Sequence, residues 1–185
     1  MVNNMDLRVE SVTRKSKEKQ KIKEIYTSSF LKEDRMPFGL MLIMAKMKNT
    51  EFLSFHDKYT LCGFVYMATI ENLTFVMFLA VDENIRSKGY GSRILDKIQS
   101  IHTDSKIIIS IERCVEEAKD IEQRLKRKKF YANNGYKETG YLVELANKKQ
   151  EILIKNGEFD EDEFSFFLKK YSNGTMKPKL WRIGH

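Results

Sequence analysis

Cross-linking and chain-breaking residues are scarce in this 185-residue sequence, which holds two cysteines, two prolines and nine glycines. Cys62 and Cys114 neither form a close pair nor lie at a metal-ligand spacing, so we predict no disulfide framework, no secretion and no metal site. We expect both to be small buried side chains, because free cysteine is often buried. The shortage of proline and glycine excludes a collagen-like or proline-rich filament.

Long hydrophobic runs are also missing. The longest apolar candidate, Leu73–Val81, is interrupted by Thr74 and is far shorter than the ~20 residues that cross a bilayer. Residues 1–6 lack the basic and then apolar order of a secretory signal peptide. The sequence therefore predicts a cytoplasmic protein without a membrane partner.

Acidic residues are also fewer than basic ones. The sequence has 26 aspartates and glutamates and 33 lysines and arginines, which gives a net charge of +7. That excess favours a polyanionic partner, and composition does not choose between a nucleic acid and a phosphate-bearing cofactor. The basic segment at residues 124–129 has no interleaved aromatic residue before Phe130 and Tyr131, which argues against nucleic acid. We interpret this segment as a solvated helix face or as a face near cofactor phosphates.

The pattern of apolar residues predicts an α/β domain around one mixed sheet. The run Leu73–Val81 is apolar on both alternations, so helices should cover the sheet on both faces. No linker or internal repeat is present, and we predict a single domain over residues 1–185. The predicted strands are 7–12, 50–56, 59–70, 73–81, 106–111, 136–145 and 150–155, and the predicted helices are 17–30, 38–48, 90–101, 120–134 and 160–171.

The clearest chemical signal lies in residues 79–95. A buried strand leads into a polar loop with Arg86, Gly89 and Gly91, and an amphipathic helix follows directly. Unpaired backbone N–H groups at such a helix start bind anions, and glycine lets the backbone approach a phosphate because it has no Cβ. The loop lacks the Gly-Lys-Ser/Thr ending of a Walker loop and the third glycine of a dinucleotide motif. It is either a phosphate site or a strand-to-helix turn without a ligand.

Two motifs resemble the GNAT acetyltransferase superfamily. Residues 86–91, Arg-Ser-Lys-Gly-Tyr-Gly, are similar to its Arg/Gln-x-x-Gly-x-Gly/Ala loop, and residues 130–136 are similar to its Phe-Tyr-x-x-x-Gly-Phe/Tyr element. The motifs follow in the family's order, and the order of strands and helices fits from Asp6 to the region of Lys155. The resemblance implies the GNAT fold, an α/β architecture with a mixed, mostly antiparallel sheet of six to seven strands flanked by helices on both faces.

The same resemblance implies a site for acetyl-CoA. In the family the strand before the loop pairs with the pantetheine arm, the loop backbone holds the pyrophosphate, and a strand N–H polarises the thioester carbonyl. Asn133 and Asn134 either contact the cofactor or end the helix before Gly135. The implied cofactor-binding residues are Leu79, Ala80, Val81, Arg86, Ser87, Lys88, Gly89, Tyr90, Gly91, Ser92 and Asn133.

Catalytic roles are also implied by the resemblance. Tyr131 matches the family's tyrosine, which donates a proton to the departing thiolate; a packed aromatic is the alternative interpretation. The strand Leu73–Val81 carries no carboxylate, which departs from one common arrangement of the general base. Glu112 and Glu71 are the remaining candidates, and of these we assign the base to Glu112, with a solvated strand end as its alternative.

The sequence therefore predicts an acetyl-CoA-dependent N-acetyltransferase that moves the acetyl group directly to a primary amine of a small molecule or peptide in a ternary complex. No metal is implied. One alternative is a non-catalytic, coenzyme A-binding GNAT-like module. The other, which we favour less, is a basic nucleic-acid-binding protein. Dimers are frequent in the family, and the sequence leaves a homodimer open.

Overall fold

The structure, a computed structural model, describes residues 6–145, 147–176 and 179–184. Residues 1–5, which bear on the signal-peptide interpretation, lie outside this part of the chain. The strands in it are β1 (Arg8–Ser11), β2 (Thr50–Asp57), β3 (Thr60–Ile70), β4 (Leu73–Val81), β5 (Lys106–Glu112), β6 (Lys137–Leu145), β7 (Lys148–Lys155) and β8 (Leu180–Arg182). The α-helices are α1 (Lys19–Ser29), α2 (Phe38–Met44), α3 (Tyr90–Ile101), α4 (Ile121–Asn133) and α5 (Glu161–Tyr171).

The strands form one sheet in the order β1-β2-β3-β4-β5-β7-β6-β8. This confirms the predicted α/β class and the mixed sheet flanked by helices. The described residues contain eight strands rather than six or seven, because β8 pairs with β6 through Trp181 opposite Leu142. A strand of three residues is too short to produce a recognisable alternation, so its sequence gave no signal.

The chain divides into two compact units, each described by itself below. The first comprises the residues up to Ala68 together with Val76–Thr103, and the second comprises Thr69–Phe75 together with the residues from Asp104 onward. The expectation of one domain over the whole chain stays a prediction.

In the first unit, β1, β2 and β3 are successive antiparallel neighbours. Helix α1 buries Ile22, Ile25 and Tyr26, the apolar positions whose three- and four-residue spacing predicted it. The Tyr26 ring meets Phe64 of β3 and Phe78 of β4 edge-on, at centroid distances of 5.9 and 5.2 Å. Such contacts add to the burial of the rings and fix their orientation. Aromatic rings thus pack together within a core that also contains aliphatic side chains such as Ile22 and Leu61.

Helix α2 ends earlier than predicted, at Met44 rather than Lys48. The chain leaves the helix through turns in which the N–H of Met47 donates to the carbonyl of Met44 and that of Thr50 to the carbonyl of Met47. Since β2 begins at Thr50, these turns connect the helix to the strand, and the apolar pattern alone does not show where the helix must end.

In the second unit, β5 pairs antiparallel with β7, and β6 pairs antiparallel with both β7 and β8. The Asp160 carboxylate caps α5 by accepting a hydrogen bond from the N–H of Glu163 at 2.8 Å. The helix buries Phe164, which meets Phe75 edge-on at 5.4 Å. The acidic first turn and the basic last turn of this helix complement its dipole.

Both cysteines are free, and burial raises the pKa of each thiol. Cys62 is fully buried in β3 as predicted, whereas Cys114 is only half-buried because it follows the end of β5 in an irregular segment. Among the described residues, no helix has the length and apolar character needed to cross a membrane.

Candidate functional site

The loop between β4 and α3 starts at a buried carboxylate, Asp82. Its backbone N–H donates to the carbonyl of Cys62 at 2.9 Å, and its Oδ1 accepts from the backbone and side-chain nitrogens of Asn84 at 3.0 and 2.8 Å. Burial raises the pKa of Asp82, but hydrogen bonds from Asn84 and Lys21 outweigh it and leave the pKa below its usual value. Asp82 thereby caps the 3-10 turn Glu83–Ile85 and fixes where the loop leaves the sheet. Sequence reasoning missed this residue, although Asp followed by a turn is a known capping signal.

The loop then passes through two left-handed residues, Ser87 with φ 64° and Gly89 with φ 80°. Gly89 is the N-cap of α3, and no side chain caps this helix start. A Cβ built on Gly89 would meet no atom within 4 Å. The first N–H groups of a helix have no intrahelical partner, so those of α3 are donors that no N-cap side chain satisfies. The residues present therefore fit a bound phosphate group.

Arg86 is folded back over the loop. Its Nε donates to the carbonyl of Val81 at 3.4 Å, and its Nη2 donates to Oγ of Ser29 in α1 at 3.4 Å. Arg86, Ser87, Lys88 and Gly89 are exposed, whereas Tyr90, Gly91 and Ser92 are half-buried. Arg86 is placed to shape the loop, and Lys88 leaves its charge available to an anion.

The end of β4 is more open than its start. Leu79 and Val81 are half-buried, with the buried Ala80 between them. A Cβ built on Gly63 of β3 would lie 2.2 Å from the Ala80 carbonyl oxygen, so only glycine allows this approach of the two strands. Sequence reasoning gave Gly63 no role, because a glycine inside a strand does not by itself show which backbone it meets.

In the second unit, Tyr131 lies in the last turns of α4 and is 9% exposed. Its ring packs edge-on against Tyr136 at a centroid distance of 5.6 Å. Burial raises the pKa of Tyr131 to about 12, while the charge of Arg127 lowers it and that of Glu112 raises it. The phenol therefore keeps its proton at neutral pH.

Glu112 ends β5 and forms an ion pair with Arg127 of α4. Burial raises the pKa of Glu112, but the hydrogen bond and charge of Arg127 outweigh it, so the pKa lies below its usual value. The carboxylate is ionised at neutral pH and is a weak base. Glu71, the other candidate, is an exposed turn residue with φ 55°.

The end of α4 separates the two asparagines. Asn134 closes the helix by donating from Nδ2 to the carbonyl of Phe130 at 2.7 Å, and Gly135 follows with φ 84°. This geometry matches the helix-stop interpretation of Asn134. Asn133 is exposed, so its side chain is accessible to a ligand.

The basic segment of α4 is largely occupied with partners in its own unit. Arg124 bonds the Asp120 carboxylate at 2.8 Å, and Lys128 lies 2.7 Å from Glu151 and 3.0 Å from Glu138. With Arg127 paired to Glu112 as well, three of the five cations between residues 124 and 129 serve internal ion pairs. Lys126 and Lys129 are exposed. This segment is therefore not a uniform cationic patch.

The buried His56 belongs to a separate polar cluster of the first unit. Its Nε2 lies 3.0 Å from Oγ of Ser54, and its Nδ1 lies 3.2 Å from the Glu18 carboxylate. A cavity of about 490 Å³ adjoins it, lined by Arg8, Glu10, Lys15, Ser16, Lys17, Glu18, Ile22 and Ser54. His102 lies 2.7 Å from Glu51. The sequence assigned no catalytic role to either histidine, and both have carboxylate partners.

The chain is similar to known acetyltransferases in sequence and in fold. Residues 48–138 match the family model of the GNAT acetyltransferase domain. No protein in the curated set compared with the chain matches it in sequence. A putative GNAT acetyltransferase from Bacteroides thetaiotaomicron superimposes with a TM-score of 0.74 at 19% identity, over 91% of this chain and 99% of that one.

Two further similar structures contain coenzyme A. The PaiA N-acetyltransferase from Thermoplasma acidophilum has a TM-score of 0.58 at 16% identity, over 83% of this chain and 100% of that one. An aminoglycoside 6'-N-acetyltransferase has a TM-score of 0.62 at 13% identity, over 83% and 99%. At these identities the solved structures show a shared fold, and the family model covers residues 48–138, which contain the loop motif. These findings confirm the resemblance to the GNAT acetyltransferases that the two motifs indicated.

Proposed function

We propose that the protein is an acetyl-CoA-dependent N-acetyltransferase that transfers the acetyl group directly to a primary amine of a small molecule or peptide. The observation that carries the proposal is the uncapped start of α3, with the left-handed Gly89 and open space above it. Two similar structures, the PaiA N-acetyltransferase and the aminoglycoside 6'-N-acetyltransferase, are complexes with coenzyme A. The same kind of ligand fits the donors present here.

The first unit would hold the acyl donor. The backbone N–H groups of residues 87–92 bind its diphosphate, and the exposed Lys88 adds a positive charge. Leu79, Ala80 and Val81 present strand backbone to the pantetheine arm, and the contact of Asn133 with the cofactor stays a prediction. Acetyl-CoA supplies an activated acetyl group as a thioester.

Tyr131 is the proposed proton donor, acting from its hydroxyl oxygen. With a pKa of about 12 the phenol is fully protonated at neutral pH. A coenzyme A thiol resembles free cysteine, whose pKa is about 8.5, so complete proton transfer from the phenol to the thiolate runs uphill by about 3.5 pKa units. Donation of a hydrogen bond to the developing negative charge on sulfur is therefore the main contribution we assign to Tyr131.

Glu112 is the proposed proton acceptor. Its ion pair with Arg127 holds the carboxylate in one orientation and lowers its pKa. Glu112 is therefore a weak base, and it keeps a proton taken from an ammonium group only transiently. Its half-exposed position at the end of β5 lets that proton continue to solvent. We expect catalysis to come mainly from the alignment of the two substrates rather than from the strength of this base.

The direct test measures thiol release from acetyl-CoA across a panel of primary amines, including polyamines, aminoglycosides, amino acids and peptide N-termini. We expect turnover with at least one amine and thermal stabilisation by acetyl-CoA. Absence of stabilisation at millimolar acetyl-CoA would refute the proposal. Binding without turnover on any amine would favour the non-catalytic module instead.

The variant Tyr131→Phe tests the proton donor. We expect kcat to fall by about ten- to a hundredfold, because a hydrogen bond to a charged group is worth about 1.5–3 kcal/mol, with little change in the affinity for acetyl-CoA. The matched control is Tyr136→Phe, which removes the hydroxyl of the adjacent buried ring. If Tyr131→Phe and Tyr136→Phe both turned over like the unmodified enzyme, Tyr131 would have no catalytic role.

A further inference from the structure

One carboxylate ties the first turn of α3 to the turn between β2 and β3. Oδ2 of Asp57 accepts a hydrogen bond from the Tyr90 hydroxyl at 3.1 Å and another from Nη1 of Arg93 at 2.9 Å. The guanidinium carbon of Arg93 lies 5.1 Å from the centroid of the Tyr90 ring, so the two donors also contact each other. We call these three residues the Asp57 cluster.

The Asp57 cluster is charged at neutral pH. Hydrogen bonds from Arg93 and then Tyr90 hold the pKa of Asp57 below its usual value. Hydrogen bonds with an ionised partner are shorter and stronger than neutral ones. The carboxylate is therefore a firm attachment point for both side chains.

The cluster matters because no side chain caps the start of α3. Gly89 has no side chain to cap the helix, and the preceding loop residues are exposed. The other end of the loop is fixed to β3, where the N–H of Asp82 donates to the carbonyl of Cys62 at 2.9 Å. The β2–β3 hairpin thus holds the loop at both ends. Cys62 of β3 holds the start of the loop, and Asp57 at the end of β2 holds the first turn of α3, where the loop ends.

We propose that Asp57 is a positioning residue for the acyl donor: by holding Tyr90 and Arg93 it fixes the direction in which the N–H groups of residues 87–92 point. The inference rests on the proposed function, because it assigns the loop to the phosphates of coenzyme A. Asp57 itself contacts no phosphate in this role. It acts through the first turn of α3.

Because Asp57 is charged, the inference can be tested by whether removal of that charge raises or lowers the affinity for coenzyme A. A carboxylate near an anion site weakens anion binding by Coulomb repulsion, and it also neutralises Arg93. If charge alone mattered, removing it would tighten the binding of coenzyme A. If positioning dominates, the same change weakens binding.

The experiment compares Asp57→Asn with Asp6→Asn by titration of coenzyme A and by steady-state kinetics. Asp6 lies 2.6 Å from Lys97, which follows Arg93 by one turn of α3. Its variant therefore removes a carboxylate that pairs with the same helix, without affecting the first turn. For Asp57→Asn we expect the Kd of coenzyme A and the KM of acetyl-CoA to rise about fivefold while kcat at saturation stays within about twofold. For Asp6→Asn we expect an unchanged or slightly lower Kd.

A second variant, Tyr90→Phe, removes one of the two donors without changing charge, and we expect it to raise the Kd about twofold. It keeps the inference testable should Asp57→Asn fail to fold. An unchanged or lower Kd in Asp57→Asn, or equal effects of Asp57→Asn and Asp6→Asn, would overturn the inference while leaving the proposed function intact. Failure of the unmodified protein to bind coenzyme A would instead refute the proposed function.

Discussion

Gly63 allows β3 and β4 to approach each other beside the segment of β4 that we assign to the acyl donor. A Cβ built on Gly63 would lie 2.2 Å from the carbonyl oxygen of Ala80 and 3.1 Å from the Cα of Val81. Both are backbone atoms, so the clash is relieved only if the strands move apart. Overpacking an interior costs about 1–3 kcal/mol, and a clash with backbone places Gly63→Ala at the upper end, about 3 kcal/mol.

Thermal unfolding followed by circular dichroism measures this cost. In a chain of this size each kcal/mol lowers Tm by about 2–4 °C, so we expect Gly63→Ala to unfold about 6–12 °C below the unmodified protein. The matched control is Gly39→Ala in α2, where the added Cβ meets no atom within 4 Å and alanine is the better helix former. We expect the control to keep or raise Tm.

The kinetic consequence follows from the same displacement. Separation of the strands moves the backbone of Ala80 and Val81, so Gly63→Ala should also raise the KM for acetyl-CoA, whereas Gly39→Ala should not. A Gly63→Ala protein with the Tm of the Gly39→Ala control would show that β3 and β4 do not approach each other this closely, and the reasoning would fail.

Glu112 and Gly89 carry the remaining predictions. The pKa of Glu112 is lowered in the folded state, so its contribution to stability is present above the unfolded pKa of about 4.3 and is lost as the pH falls through the folded value. Urea midpoints measured from pH 7 to pH 3 should therefore fall more steeply for the unmodified protein than for Glu112→Gln, and parallel curves would contradict the ion pair with Arg127. Gly89→Ala forces a side chain into φ 80° at a cost of about 1–2 kcal/mol and adds a Cβ at the N-cap of α3. It should lower both Tm and the affinity for coenzyme A, and an unchanged affinity would remove Gly89 from the site.

Two elements with strong local signals, β4 and α3, were predicted from the sequence to the residue. Strand β4 covers Leu73–Val81 and helix α3 covers Tyr90–Ile101, the predicted bounds in both cases. The apolar run of β4 and the apolar stripe of α3 are both patterns within consecutive residues. The loop between them ends at Gly89, whose left-handed φ is readily adopted only by glycine. The burial of one residue differs from the pattern: Ile101 continues the apolar stripe of α3 but is 41% exposed at the end of the helix.

Residues whose roles depend on distant partners were missed. Asp57 is 36 positions from Arg93, and nothing in the residues around it indicates a link to α3. Gly63 acquires its role only when β4 is placed beside β3, and Asp82 only when its N–H meets the Cys62 carbonyl. A sequence motif marks the loop itself, but the contacts that hold the loop in place come from the strand pairing.

The second unit shows why the proposed acid and base should be treated as one system. The charges of Arg127 and Glu112 both act on Tyr131, the first lowering its pKa and the second raising it. Arg127 also pairs with Glu112 directly, so neutralising either partner changes the proton affinity of the phenol. Loss of the Glu112 charge leaves Arg127 unopposed and makes Tyr131 a stronger acid, which partly compensates in kcat for the loss of a base. A weak kinetic effect of Glu112→Gln is therefore consistent with a catalytic Glu112. The pKa of Tyr131, read from its ultraviolet absorbance against pH, distinguishes the two explanations: a lowered pKa in Glu112→Gln indicates compensation, and an unchanged pKa indicates that Glu112 has no role.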